Sequence, residues 1–268
     1  MTRRLPTTHV FLAQQLRALL ARLEATFPRV LGRADDEAIH DMRVALRRLR
    51  VVLKLARPVF GRFHVDAVRA AMTRVHRASG ALRDEEVLRE TLTELGIEDW
   101  GWIEWMKRRA GREDALRRLV EQRMRAGGLR RPIRLLRAIL ELPVPPKRRA
   151  PLPAFARRAA ARAMRDVDEL RDAPTDDVAA LHQLRIAFKR LRYTAELLEP
   201  GLPADVAALA KPAAEFQKVL GTLHDLDVAA STVRRARSLD DGTKAAALRL
   251  IAQRRASAVD TYRVLMKT

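Results

Sequence analysis

Two stretches of the sequence place a histidine and a series of cationic residues at the same spacing. The first stretch runs from His40 to Arg50 and reads HDMRVALRRLR, and the second runs from His182 to Arg192 and reads HQLRIAFKRLR. The copies are 142 residues apart (182 − 40 = 142). Because guanidinium and ammonium groups donate charge-assisted hydrogen bonds to phosphate oxygens, both copies are candidates for binding a polyanion.

A helical projection separates each copy into an apolar side and a cationic side. At about 100° per residue, the apolar side of the first copy carries Met42, Leu46, Leu49 and Leu53, and that of the second carries Leu184, Phe188, Leu191 and Ala195. The opposite side forms the first row, defined as His40, Arg43, Arg47, Arg50 and Lys54, and the second row, defined as His182, Arg185, Lys189 and Arg192. Like charges at this spacing repel by roughly 0.2–0.5 kcal/mol per pair, so their repetition favours a polyanion ligand over a merely solvated face.

A second landmark repeats in nearly the same register. Gly-x-Leu-x-Asp-x-[Asp/Glu]-Val begins at Gly80 and again at Gly221, 141 residues later (221 − 80 = 141). Further candidate contacts are the equivalent pairs Arg83 and His224, Arg77 and Lys218, and the motif pair Arg48 and Arg190. Arg48 and Arg190 project to the helix flank, so pairing with acids such as Asp84 or Asp225 is equally open for them. Glu196 stands at the position equivalent to Lys54, which breaks the symmetry at that end.

Composition limits the classes of function. The 268 residues carry 53 Lys+Arg against 33 Asp+Glu, a net charge of +20, which attracts polyanions such as nucleic acid, polyphosphate or an anionic surface. The absence of cysteine excludes disulfides and thiolate chemistry and suits a reducing cytosol. Neither a signal peptide nor an apolar run long enough to cross a membrane is expected. No zincin-type histidine pair or phosphate-binding glycine loop is present, and aromatic residues are too sparse for a row of base-stacking platforms.

Periodicity predicts an all-α fold of two tandem, pseudo-symmetric antiparallel helical bundles around a basic central groove or channel. The predicted divisions are a first bundle over 1–141, a proline-rich linker over 142–153 and a second bundle over 154–268. The helices are expected at 8–27, 36–57, 63–79, 84–95, 112–126, 130–141, 154–171, 177–198, 204–220, 224–238 and 243–267. Pro28 and Pro58 are expected to end the first two helices, and Pro212 to kink or divide its helix. Asp35 or Asp36 is expected to cap the second helix and Asp84 the fourth.

The doubled motif resembles the CHAD family, the conserved histidine α-helical domain, over about residues 7–267. The resemblance implies two bundles with internal pseudo-symmetry and a basic central surface that binds inorganic polyphosphate. It also implies association with cytoplasmic polyphosphate granules, no catalytic activity and no cofactor. Carried over residue by residue, it assigns polyphosphate contacts to His40, Arg43, Arg47 and Arg50 and to the second row. Lys54 extends the first row, and the equivalent pairs named above are the further candidates.

Two other functions remain open at this point. A net charge of +20 also suits a nucleic-acid-binding accessory protein. The repeated carboxylates Asp84/Glu86 and Asp225/Asp227 could belong to a metal-dependent polyphosphate hydrolase, although helix caps and partners for arginine explain them better.

Overall fold

The computed structural model describes residues 5–32, 37–145 and 150–267. Within these ranges the regular structure is helical and no strand forms, which confirms the all-α class. The helices are α1 (Thr8–Gly32), α2 (Glu37–Phe60), α3 (Arg62–Ala78), α4 (Gly80–Thr93), α5 (Trp100–Arg125), α6 (Arg130–Glu141), α7 (Leu152–Asp168), α8 (Val178–Leu198), α9 (Ala204–Ala208), α10 (Ala210–Arg234) and α11 (Asp241–Lys267). A turn of 3-10 helix, Glu199–Gly201, follows α8.

Two prolines do not end their helices as predicted. Pro28 lies inside α1 and Pro58 inside α2. A proline in a helix removes one backbone hydrogen bond, but the last turn persists when its side chains are buried. Val30 of α1 and Phe60 of α2 are both buried, so tertiary packing outweighs the lost hydrogen bond.

The other deviations concern where helices begin and join. Asp84 does not cap α4, because that helix already begins at Gly80. The helix predicted at 112–126 begins at Trp100 instead, and the Asp99 carboxylate accepts a hydrogen bond from the Trp102 backbone N–H in its first turn at 3.0 Å. The predicted helices at 204–220 and 224–238 are divided near Leu209 instead. Pro212 then occupies the first turn of α10, where a missing N–H costs little.

The described chain divides into two compact units. Unit 1 comprises Met1–Gly80, Arg118–Arg162 and Tyr193–Ala208, and unit 2 comprises Ala81–Arg117, Ala163–Arg192 and Leu209–Thr268. Both units draw on both halves of the sequence. The predicted boundaries at 142–153 and the tandem pseudo-symmetry describe the sequence repeat and stay predictions. Part of that linker, 146–149, and the predicted capping residues Asp35 and Asp36 lie outside the described residues.

In unit 1 the apolar side of α2 packs against α1 and α3. Met42, Leu46, Leu49 and Leu53 have no exposed surface, as the periodicity predicted. The start of α1 is held by residue 150, because Thr8 donates from both its backbone N and its Oγ to the Ala150 carbonyl, at 3.0 and 2.8 Å.

Unit 2 contains two hydrophobic clusters. The first includes Leu184, Phe188 and Leu191 of α8, and Phe188 stacks on Phe216 of α10 with ring centroids 4.3 Å apart. The second contains Trp102 and Trp105 of α5 against α10 and α11. Burial of its apolar side therefore fixes the direction in which each motif helix presents its cations.

Candidate anion-binding site

The first row lies on α2 in unit 1, opposite the buried apolar side. His40 and Lys54 at its two ends are exposed, and the three arginines between them are half-buried. The long apolar stems of arginine can lie along the protein while the charged forks reach outward.

Arg43 is the member of the first row most firmly attached to the protein. Its Nη1 donates to Ser79 Oγ at 2.8 Å and to the His76 carbonyl at 3.2 Å, at the end of α3. Ser79 is fully buried, and its Oγ also donates to the His76 carbonyl at 3.1 Å. Arg43 therefore helps to hold α3 against α2, a role that the motif alone did not indicate.

Arg47 and Arg50 carry charges that no carboxylate in the described chain neutralises. Neither forms an ion pair there, and the Nε atom of each is buried without a hydrogen-bond partner. Burial lowers the pKa of Arg50, and the nearby positive charges of Arg69 and Arg77 lower it further. Arg77, one of the further candidate contacts, is thus close enough to Arg50 to strengthen the positive field around it.

Two other half-buried arginines of unit 1 have acidic partners. Arg57 Nη2 donates to Asp66 Oδ2 at 2.6 Å. Arg29 Nη1 donates to Asp41 Oδ2 at 2.7 Å. Arg47 and Arg50 differ from these two in that each is half-buried without a carboxylate partner among the described residues.

The second row lies on α8 in unit 2 and faces α10. The His182 ring lies against the His224 ring of α10, with ring centroids 4.8 Å apart and ring planes tilted by 42°. Burial lowers the pKa of both imidazoles, and the nearby charges of Arg185 and Lys189 lower it further. The two rings are therefore mainly neutral at pH 7. The sequence predicted His224 only as the equivalent of Arg83, and it did not predict the contact between His182 and His224.

Asp225 lies close enough to Arg185 of the second row for the two charges to interact. Burial raises its pKa, while the charges of Arg185 and Arg83 oppose that rise. The Nε atom of Arg185 and the Nδ1 atom of His182 are buried without a hydrogen-bond partner in the described part of the chain. This cluster brings together the predicted contacts His182, Arg185, Lys189, His224 and Arg83.

A ladder of ion pairs positions Arg83. Its Nη1 lies 3.6 Å from Glu86 Oε2, and Glu86 accepts a hydrogen bond from Arg117 of α5 at 3.1 Å. Arg117 Nη2 also lies 3.5 Å from Glu113, which accepts from Arg89 at 2.6 Å. The ladder joins α4 to α5 and holds Arg83 near Asp225. Only the tertiary fold brings Arg117 to this position.

A search against known families matches the CHAD domain over residues 14–234. The chain belongs to the CHAD family. The crystal structure of the CHAD domain from the plant Ricinus communis is similar with a TM-score of 0.75 and 23% identity, covering 100% of this chain and 95% of that one. PptA from Streptomyces chartreusis is similar with a TM-score of 0.67 and 19% identity, covering 98% and 100%. No curated protein sequence matches the chain significantly.

The remaining predicted contacts of this CHAD chain lie around the two rows. Arg190 pairs with Asp166 rather than with Asp84 or Asp225. Arg48 is exposed and lines a cavity of about 280 Å³ with Tyr193 and Glu196 in unit 1.

Lys218 is exposed on α10, and Arg192 is half-buried at the end of the second row. Both lie on the helices that form the unit 2 cluster.

Two further properties of this CHAD chain bear on its chemistry. Among the described residues, no group of three or more histidine or acidic side chains is placed to hold a metal ion. Within the same residues, no helix is long and apolar enough to cross a membrane.

Proposed function

We propose that this CHAD protein binds inorganic polyphosphate, without hydrolysing it, through the first and second rows. The observation that carries the proposal is the unneutralised charge at Arg47 and Arg50, beside arginines that do have acidic partners. Holding like charges together without carboxylates destabilises a free protein, and a bound polyanion reverses that effect.

The shape of the rows suits a chain of linked phosphates. His40 and Lys54 are about 21 Å apart along α2, at 1.5 Å per residue. Polyphosphate has negative charge along its whole length and no bases, so it needs repeated cationic donors and no sequence readout. Arginine forks can hold two phosphate oxygens at once, while lysine acts as a point charge.

The test is a titration with long-chain polyphosphate at two salt concentrations. We expect tight binding that weakens as salt rises, because displaced counterions favour binding at low salt. The double variant Arg47→Glu/Lys189→Glu is expected to lose this binding and keep its helical circular dichroism. The control Arg249→Glu/Arg263→Glu changes the net charge equally at exposed positions of α11 and should bind as the wild type does. An equal loss of polyphosphate affinity in both variants would show that the interaction depends only on net charge.

The two alternative functions predict different outcomes. A nucleic-acid-binding protein would release polyphosphate when duplex DNA is added at equal phosphate concentration, whereas we expect polyphosphate to be retained. A hydrolase would release orthophosphate in the presence of magnesium or manganese, whereas we expect none. Binding of this kind would recruit the protein to cytoplasmic polyphosphate granules, and a fluorescent fusion of the Arg47→Glu/Lys189→Glu variant should then remain diffuse.

A further inference from the structure

A basic cavity lies in unit 2, at the C-terminal end of α10. Its volume is about 470 Å³, and the lining residues that matter here are Trp105, Arg109, Arg112, Arg235, Arg237 and Ser238. We refer to it as the arginine basin. Its volume falls within the range of about 300–1,000 Å³ that is usual for ligand sites. His224 and Arg235 are about 16 Å apart along the helix at 1.5 Å per residue, so the basin is separate from the second row.

The basin contains more positive charge than its acidic neighbour neutralises. Four arginines line it, and none of its described lining residues carries a carboxylate. Glu85 is buried beside the basin and forms ion pairs with both Arg109 and Arg112. One negative charge shared by two guanidinium groups leaves an excess, to which Arg235 and Arg237 add.

Three of these four arginines contact the protein around them before any ligand arrives. Arg109 Nη2 donates to Glu85 Oε2 at 2.9 Å, and its guanidinium carbon lies 5.1 Å from the centroid of the Trp105 ring. Arg112 Nε lies 3.2 Å from Glu85 Oε2. Arg235 Nε donates to the Ser231 carbonyl at 3.1 Å. Such fixed donors lose little conformational entropy when they bind, which favours affinity.

The chemistry of the lining selects the class of ligand. Several guanidinium groups in one cavity match an anion with several charges in a small volume, as in linked phosphates. Trp105 is buried and its ring already faces Arg109, so it offers no free face for stacking a nucleobase. Ser238 receives a hydrogen bond from Arg108 at 3.1 Å, and its own hydroxyl hydrogen can be donated to a ligand oxygen.

We propose that the arginine basin is a second anion site that binds a short oligophosphate group of two or three phosphates independently of the two rows. The group could be a free oligophosphate or a segment of a longer polyphosphate chain, since both present the same oxygens. This proposal does not depend on the function proposed for the rows.

The experiment uses the full chain and inorganic triphosphate in isothermal titration calorimetry. The variant Arg235→Glu/Arg237→Glu changes two exposed basin residues, and the control Arg249→Glu/Arg263→Glu alters the net charge by the same amount. We expect the basin variant to bind triphosphate at least about tenfold more weakly, because each charged hydrogen bond contributes roughly that factor. The control and the row variant Arg47→Glu/Lys189→Glu should retain this binding. If the charge reversal prevents folding, Arg235→Gln/Arg237→Gln tests the same contacts.

Each outcome bears on the basin in a defined way. Triphosphate affinity that is unchanged in the basin variant, or reduced as much in the control, overturns the proposal, as does an absence of triphosphate binding by the wild type. A basin variant that loses affinity for both triphosphate and long-chain polyphosphate shows that the basin holds part of the long chain. Loss for triphosphate alone identifies a free oligophosphate. Normal binding of long-chain polyphosphate by the row variant would refute the function proposed for the two rows, whereas the proposal for the basin would still be decided by its own variant.

Discussion

The arginines of unit 1 differ in what surrounds their charge. Arg57 donates a hydrogen bond to Asp66, and this bond is the main cause of the lowered pKa of that carboxyl group. Arg50 is instead half-buried near Arg69 and Arg77, which lower its own pKa in addition to the effect of burial. At the scale of single residues, repulsion between Arg50 and its cationic neighbours therefore lowers the stability of the free protein, and a bound anion would offset that repulsion.

Replacing Arg50 should separate stability from binding. We expect Arg50→Gln to raise the free energy of unfolding by up to about 1 kcal/mol at low salt, given roughly 0.2–0.5 kcal/mol for each like-charged pair. The same variant should bind polyphosphate more weakly. Urea unfolding and the polyphosphate titration measure the two effects. The control Arg57→Gln removes a paired arginine and should lower stability; an equal loss in Arg50→Gln would contradict the expected repulsion.

The adjacent imidazoles of His182 and His224 predict proton uptake on binding. Burial and the neighbouring Arg185 and Lys189 lower the pKa values of His182 and His224 in the free protein, whereas a bound polyanion favours their charged forms. Binding should therefore tighten as the pH falls below about 6.5, the ordinary pKa of histidine. Calorimetry in buffers with different ionisation enthalpies measures the protons taken up. The variant His182→Gln/His224→Gln should show no such uptake, and undiminished uptake in it would assign the protons elsewhere.

The same imidazoles give the free protein a pH-dependent stability of opposite sign. A histidine with a lowered pKa binds fewer protons in the folded state than in the unfolded state. Its contribution is complete above about pH 6.5 and is lost as the pH falls through the lowered folded-state pKa. Without polyphosphate, the wild type should therefore lose stability more steeply than His182→Gln/His224→Gln as the pH falls below about 6.5. Parallel curves for the two proteins would show that other groups are responsible.

At the scale of helices, periodicity determined orientation better than it determined ends. The apolar sides of α2 and α8 are buried as predicted, because a spacing of 3.6 residues is a local property of the sequence. The ends of α1 and α2 were wrong, because packing of Val30 and Phe60 outweighs the effect of a proline. The rule used for helix ends considers neighbours along the chain and not across the core.

Contacts between residues that are distant in sequence could not be predicted either. The hydrogen bond from Arg43 to Ser79 and the ladder through Arg117 join residues 36 and 31 positions apart. The arginine basin likewise combines residues of α5 with the end of α10. No repeated spacing marks such residues. The cations of each row, by contrast, lie on a single helix, so their common side could be predicted from their spacing.

The packing of α2 can be tested at Leu49. The side chain is fully buried, so Leu49→Ala should lower the free energy of unfolding by about 2–5 kcal/mol through lost burial and an unfilled cavity. Urea unfolding measures the change. The control Arg48→Ala alters the adjacent exposed residue and should change stability by less than about 0.5 kcal/mol. Similar losses for both would mean that the helix is not packed as described.

At the scale of the whole molecule, a net charge of +20 makes some attraction to any polyanion certain. The slope of binding against salt distinguishes specific contacts from this general field. By analogy with single-stranded nucleic acids, each phosphate contact contributes roughly 0.7 to the slope of log affinity against log salt. We expect Arg47→Gln/Lys189→Gln to lower the slope by about 1.4 for long-chain polyphosphate. The exposed pair Arg249→Gln/Arg263→Gln should leave it nearly unchanged, and equal slopes in the two variants would leave only diffuse attraction.

The bonds between Thr8 and Ala150 have a consequence for synthesis of the protein. They join residues 142 positions apart, so the ribosome must synthesise residue 150 before the start of α1 can be secured. Until then the first helix emerges with leucines that have yet to find their permanent neighbours, and such surfaces attract chaperones or other nascent chains. Yield in the cell should therefore depend on how quickly translation passes residue 150.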